Sequence, residues 1–280
     1  MPDVPTRFVL FAFGEELAAY TQAHLALLTT MANAPAGCEF VVVTTHPRNF
    51  HWFDGRLRLL VIDGQQLTAW KGPGGFFWRT KIEAIRHAAA LGPAHIVYLD
   101  SDVLATAPLA ELCAGLAQGR VYMHQREFTL GGTRRRGHRA LRQLIPRTHA
   151  GTSVALESEM WNAGVVAVGA TQHGLLGHAL ALCDSFIAAG QHTLHEQFAF
   201  SVALAGTGAL HAAEPWILHY WGNKPGFQEA INAQLAAIWI RQLNVDQAIA
   251  FVQANPIRRP VSVRRRWWNR WFKGLAGVAG

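Results

Sequence analysis

Charge is scarce in this chain. Only 15% of its 280 residues are Asp, Glu, Lys or Arg, while half are apolar. That balance excludes a disordered chain and supplies a sizeable core. Cysteine is scarcer still. Cys38, Cys113 and Cys183 are odd in number and have no metal-ligand spacing. They exclude a disulfide scaffold and a zinc finger, and predict small buried hydrophobes in a reducing compartment. No apolar run is long enough to span a bilayer. Met1-Pro2-Asp3-Val4-Pro5 runs straight into a strand pattern without a leader-like stretch, so a cytoplasmic location is expected. Internal repeats and low-complexity linkers are absent as well.

What charge there is lies unevenly. The formal net charge is +7, from 25 Lys and Arg against 18 Asp and Glu. Seven of the 25 are Arg258, Arg259, Arg264, Arg265, Arg266, Arg270 and Lys273, in a stretch without acids, which leaves a body balanced at 18 of each sign. Length and this shift in composition predict one large domain over residues 1–255 and a basic tail over 256–280.

Along the body, strand-like and helix-like patterns alternate. Strands are predicted at Arg7–Phe13, Glu39–Thr45, Leu57–Asp63, His95–Asp100, Val121–Gln125 and Val165–Val168, with Trp216–Tyr220 a late extended segment. Helices are predicted at 15–32, 79–91, 108–115, 173–189, 195–205 and 227–253, with 126–152 irregular and basic. The strands lack polar alternation, so both faces are buried. The fold class expected is α/β, with a mostly parallel, doubly wound sheet flanked by helices.

The most informative segment is His95-Ile-Val-Tyr-Leu-Asp100-Ser101-Asp102. Gly92-Pro93 stops any helix before it, and the apolar run reads as a central strand. Asp100 and Asp102 then sit at its carboxyl end, where open α/β sheets bind ligands. Two carboxylates at alternate positions point the same way, so one divalent cation can link them to a diphosphate.

Four further segments carry candidate chemistry. Trp78-Arg79-Thr80-Lys81 opens the helix before that strand; cations there can reach a diphosphate at the sheet edge, the plain alternative being an exposed helix end with an Arg79–Glu83 pair. Trp161-Asn162-Ala163-Gly164-Val165 offers an amide for sugar hydroxyls and two small residues for close backbone approach. His195-Glu196-Gln197-Phe198 opens a helix, where a carboxylate is also favoured by the dipole alone. His219-Tyr220-Trp221-Gly222-Asn223-Lys224-Pro225 pairs an imidazole with a nearby ammonium.

Taken together, these segments resemble the GT-A fold glycosyltransferases, and most closely glycosyltransferase family 8 and the glycogenin-like retaining enzymes, over about residues 7–226. The resemblance implies a GT-A (Rossmann-like, nucleotide-diphospho-sugar transferase) fold. It makes Asp100, Asp102 and His219 ligands of Mn2+ or Mg2+, the nitrogen ligand favouring Mn2+. It assigns Phe13, Arg79, Lys81, Asp100, Ser101, Ala163, Gly164, Gly222 and Lys224 to the donor, and Gln197, Glu196 and Asn162 to catalysis. The family's second acid after the glutamine is replaced here by Phe198, and the spacing from Gly222 to Lys224 is one residue short. After the first strand, Phe13-Gly14-Glu15 and Tyr20 match the family's base-holding acid and tyrosine only in part, so uridine is the family default.

The implied activity is transfer of a sugar from a nucleotide-sugar, UDP-sugar favoured, to a glycan or glycolipid acceptor in bacterial surface polysaccharide synthesis. Gln197 is a poor nucleophile, which favours front-face attack by the acceptor through an oxocarbenium-like state. Two alternatives stay open: a non-catalytic nucleotide-sugar-binding protein, and a nucleotidyltransferase of similar sheet, against which the acidic Gly14-Glu15-Glu16 counts. The tail interleaves cations with Trp267, Trp268, Trp271 and Phe272, a pattern suited to an anionic membrane surface through residues 257–280, at the inner face of the cytoplasmic membrane. A tail packed on the body and a nucleic-acid patch are the plainer readings; the body shows no nucleic-acid-binding motif, so no nucleic acid is expected. The arginines between 134 and 147 fit either a phosphorylated or acidic acceptor or a solvated loop.

Overall fold

The computed structural model describes residues 4–53, 55–190 and 192–261. The first half of the chain runs through β1 (Thr6–Ala12), α1 (Leu17–Asn33), β2 (Glu39–Thr44), β3 (Arg58–Val61), α2 (Gly64–Trp70), α3 (Arg79–Ala89) and β4 (His95–Leu99). β1 is buried along its whole length, because both faces of the sheet are covered. Val9 and Phe11 join one apolar layer with α3, α5 and α6, while Phe8 and Leu10 join the other with α1, α7 and α8. This is the two-residue period of a strand read on a doubly covered sheet.

The second half supplies β5 (Val103–Ala105), α4 (Ala110–Ala117), β6 (Val121–Met123), β7 (Arg126–Thr129), β8 (Arg147–His149), β9 (Thr152–Val154), β10 (Glu159–Trp161) and β11 (Val165–Val168). α5 (Gly174–Ala189), α6 (His195–Ala205), β12 (Leu210–Ala212), β13 (Ile217–His219), α7 (Lys224–Ile240) and α8 (Val245–Ala254) complete it. The central sheet has seven strands in the order β12-β6-β11-β4-β1-β2-β3. All neighbours are parallel except β11, which runs antiparallel to both β4 and β6. The mostly parallel α/β sheet flanked by helices is the fold class expected from the strand patterns.

Two pairings build the site. β11 enters beside β4 with Val165 opposite Leu99, and Asp100 N–H donates to Gly164 O at 2.9 Å. Residues 162–164 therefore arrive at the carboxyl end of β4. β13 pairs with β5 with His219 opposite Val103, and Tyr220 N–H donates to Asp102 O at 3.1 Å. That register carries His219 to the aspartates from more than a hundred residues away.

Several boundaries differ from expectation. The predicted helix 227–253 is two helices: Gln242 has φ of 53°, and Asn244 starts α8 with a capping box closed by Gln247. Segment 126–152 is not irregular throughout, since β7 pairs with β10 and a 3-10 helix spans Arg136–Leu144. The strand expected at Val121–Gln125 ends at Met123. Cys183 is buried, whereas Cys38 and Cys113 are half-buried. No helix among the described residues is long and apolar enough to cross a membrane. Gln234 Nε2 donates to Asn255 O at 2.7 Å and Asn223 Nδ2 to Pro260 O at 3.1 Å. The last described stretch thus returns along α7 to its N-terminus. Tail residues 262–280, with all four of the aromatics singled out there, lie outside the described residues.

Candidate active site at the carboxyl edge of the sheet

A cleft of about 760 Å³ opens over the end of β4. Asp100, Asp102, Asn162, Gln197, His219 and Lys224 line it together, joined by Glu127, Trp221 and the loop from Gly132 to Arg135. One ligand atom from each of Asp100, Asp102 and His219 lies within 4.8 Å of the others. His219 Nε2 is 3.3 Å from Asp102 Oδ1 and 3.9 Å from Asp100 Oδ2. Lys224 Nζ is 2.8 Å from Asp102 Oδ2. Burial pushes the Asp102 carboxyl up, but His219 and Lys224 outweigh it and hold the group well below the usual carboxylate range.

The orientation of His219 follows from Asn162. Asn162 Nδ2 donates to Glu127 Oε1 at 3.1 Å, so its Oδ1 is the acceptor. That oxygen takes Gly164 N–H at 2.9 Å and lies 2.7 Å from His219 Nδ1. Nδ1 then donates to Asn162, and Nε2 is the ring nitrogen turned toward the aspartates, the one an imidazole held in this way would offer to a metal. Gly164 is required sterically: a Cβ there would sit 2.7 Å from His219 Cγ and closer still to Nδ1 and Cε1.

Behind the cleft wall lies a buried charge cluster. Lys81 Nζ is 3.0 Å from Asp100 Oδ1 and 3.2 Å from Glu196 Oε1, and donates to Ala163 O at 3.2 Å. Tyr98 OH also donates to Asp100 Oδ1, at 2.9 Å, while its ring lies 5.4 Å from the ammonium. Burial works against the Lys81 charge, yet Asp100 and Glu196 hold its pKa above the ordinary value. Glu196 is raised to about 7 by burial, with Lys81 pulling it back down and Asp100 adding to the rise. Lys81, Glu196, Ala163 and Gly164 thus back the site rather than line it.

Other predicted site residues fall elsewhere. Arg79 is buried, and its guanidinium bonds Asp184 through two nitrogens at 2.7 and 3.1 Å, Glu83 at 3.0 Å and Trp70 O at 2.8 Å. It joins α3 to α5 with four of its five N–H donors engaged and does not line the cleft, so the structure gives Arg79 a structural place rather than the expected donor-binding one. Phe13 packs on Phe11 and Phe77, with ring centroids 4.3 and 5.5 Å away, and does not line the cleft. Tyr20 is buried, its hydroxyl donating to Gly14 O at 2.7 Å. Ser101 is half-buried in the turn between the two aspartates, and Gly222 is exposed between Trp221 and Lys224.

Glu127 escaped sequence reading. It stands on β7, opposite β10 and one strand away from Asn162, in a stretch read as irregular. Its Oε2 accepts from Gln197 Nε2 at 2.9 Å, so one carboxylate fixes both amides of the site.

No family model and no curated protein matches the chain. Solved structures with related architecture include mouse xyloside xylosyltransferase 1 in its apo form, 16% identical at a TM-score of 0.47 over 75% of this chain and 85% of that one. The apo bifunctional glycosyltransferase WbbM is 13% identical at a TM-score of 0.48, over 75% of this chain and 39% of that one. Galactosyltransferase LgtC in complex with donor and acceptor sugar analogs is 16% identical at a TM-score of 0.45, over 74% of this chain and 73% of that one.

Proposed function

We propose that this chain is a metal-dependent glycosyltransferase of the GT-A type, which moves a sugar from a nucleotide-diphosphate donor, UDP-sugar favoured, to a glycan or glycolipid acceptor with retention of configuration. The observation that supports it most is the meeting of Asp100, Asp102 and His219 with Lys224 in one cleft, with His219 turned by Asn162 so that Nε2 faces the carboxylates. This oxygen-and-nitrogen donor set fits Mn2+ or Mg2+, with Mn2+ favoured by the imidazole. Bound there, the ion would supply Lewis-acid stabilisation to the departing diphosphate.

The chain's own residues do the rest. Lys224, half-exposed at the cleft mouth, meets the charge that develops on the leaving phosphate. Lys81 holds Asp100 in place from behind. Gln197 and Asn162, fixed by Glu127, present amides to the sugar. Gln197 is a poor nucleophile, Glu196 is held behind the wall by Lys81, and both oxygens of Glu127 accept amide N–H groups. Attack by the acceptor on the donor's own face therefore fits this site better than a covalent intermediate. The last described residues pass Asn223, next to Lys224, and the basic-aromatic stretch that follows them in the sequence would set the cleft against an anionic membrane at the cytoplasmic face, where a lipid-linked glycan is built.

The test is nucleotide release from a panel of nucleotide-sugars with Mn2+, Mg2+ or EDTA. Metal-dependent release from one donor, lost in Asp100→Asn and His219→Ala, is the expected result. Release indifferent to EDTA, or full activity in Asp100→Asn, would overturn the proposal.

A further inference from the structure

Part of the cleft lining comes from the loop that follows β7, and its charge is one-sided. From Phe128 to Leu156 the chain holds six arginines and no acid. Two of them, Arg134 and Arg135, line the cleft. Neither has a carboxylate within ion-pair distance among the described residues, whereas every acid lining the cleft is already engaged: Asp100 by Lys81 and Tyr98, Asp102 by His219 and Lys224, Glu127 by Asn162 and Gln197.

The loop is held in shape. Gly131 N–H donates to Leu156 O at 2.7 Å, and Gly132 N–H to Thr129 Oγ1 at 3.1 Å. A Cβ on Gly132 would come within 2.8 Å of that hydroxyl. The Arg142 guanidinium donates to Thr133 O. Thr133 Oγ1 lies 2.8 Å from His138 Nδ1, and the His138 ring stacks on Phe128 at 4.4 Å and 16°. Burial and then the Arg135 charge push His138 below its usual pKa. Phe128, next to Glu127 on β7, thus lines the cleft as an aromatic platform backed by the stacked His138 ring, together with two guanidinium groups that have no carboxylate within ion-pair distance among the described residues. Platforms of this kind take the apolar face of a sugar ring, and guanidinium groups take carboxylate or phosphate through paired hydrogen bonds.

We propose that Arg134 and Arg135 form an oxyanion clamp in the cleft, and that its ligand is the acceptor, a sugar bearing a carboxylate or a phosphate. The proposal rests on the glycosyltransferase reading for the word acceptor; the anion site itself rests on the loop.

Calorimetric titration of the full chain separates the two. The probes are glucose, glucuronic acid and glucose 6-phosphate, first in EDTA and then with UDP and Mn2+ in excess. The expected result is that one or both anionic sugars bind at least about tenfold more tightly than glucose, the size of one charge-assisted hydrogen bond. Arg134→Gln with Arg135→Gln should remove that preference, Arg134→Lys with Arg135→Lys should restore part of it, and UDP with Mn2+ should leave it in place. Preference for glucuronic acid would mark a carboxylate acceptor, and preference for glucose 6-phosphate a phosphorylated one. No preference in the wild type, an unchanged preference in a folded double glutamine variant, or displacement of the anionic sugar by UDP with Mn2+ would overturn the clamp. So would loss of anionic-vesicle binding in that variant with sugar binding intact, since the loop would then serve the membrane. Failure of UDP and Mn2+ to bind at all would instead count against the glycosyltransferase reading and leave arginine-dependent anion binding standing.

Discussion

Replacing Gly164 by alanine adds one methyl group, and its consequences can be followed through the site. The three atoms nearest the added Cβ all belong to the His219 ring, with Cγ at 2.7 Å and Nδ1 and Cε1 nearer. An aromatic ring cannot bend away as a flexible chain end can, so the whole imidazole must move. It is held by Asn162 Oδ1 at 2.7 Å, and that bond has to stretch or break. Overpacking of this kind costs about 1–3 kcal/mol, which for a chain of this size lowers Tm by about 2–12 °C. Displacing the ring also turns Nε2 away from Asp100 and Asp102. Loss of an orienting partner of a metal-binding histidine weakens metal affinity about 10–100-fold.

Two measurements check this: thermal melts in EDTA, and titration of free Mn2+ by its EPR signal. The sharper test is a cycle with His219→Ala. With the ring gone the methyl has room, so Gly164→Ala should lower Tm in the wild type and cost less than about 0.5 kcal/mol in the His219→Ala background. An equal loss in both backgrounds would show that the methyl meets something other than His219, and the geometry argued for the ligand set would fail.

A second expectation concerns pH. The Glu196 carboxyl stands at about 7 in the folded chain against an ordinary 4.5, chiefly through burial. Between those values the native state holds a proton that the unfolded chain has lost, so this group's contribution to stability falls as pH rises, by about 3 kcal/mol in all. His124 and His195, lowered to about 4 by burial, act in the opposite sense between 4 and 6.5. Glu196→Gln should therefore gain on the wild type as pH rises from 4.5 to 7 in denaturant titrations, and a difference that does not change with pH would refute the assignment. A third concerns the tail: truncation after Val261 should abolish co-sedimentation with anionic vesicles, and equal binding by the truncated chain would remove the membrane from the proposal.

The parts of the site that were legible in the sequence are those where several residues sit close together in the chain. Asp100 and Asp102 could be placed because a five-residue apolar strand ends just before them, although both lie in the turn that follows it, where the alternation of a strand no longer sets their direction. Asn162 to Gly164 could be placed because a strand follows at once. Glu127 could not. Its role comes from pairing of β7 with β10 across some thirty residues, and its own neighbourhood has the composition of a loop. Arg79 was misplaced for a related reason. Its partner Asp184 lies 105 residues on, on α5, and nothing local distinguishes a helix-start arginine that meets a ligand from one that joins two helices.

The same contrast explains why Lys81 and Arg79, two residues apart, have different fates. On α3 a two-residue step turns a side chain through about 200°, since each residue advances by about 100°. One cation therefore faces the sheet edge, with Asp100 and Glu196, and the other faces α5. Each is buried beside carboxylates that compensate its charge, because an unpaired buried cation costs several kcal/mol. The division leaves Lys224 as the half-exposed lysine of the cleft and Arg134 and Arg135 as the guanidinium groups that line it. On the proposed reading, Lys224 would meet the donor's phosphate and the two arginines an anionic acceptor. A neutral acceptor would leave the two arginines with nothing to bind, so the charge of the acceptor, rather than the identity of the metal, is the property the proposed clamp would specify most directly.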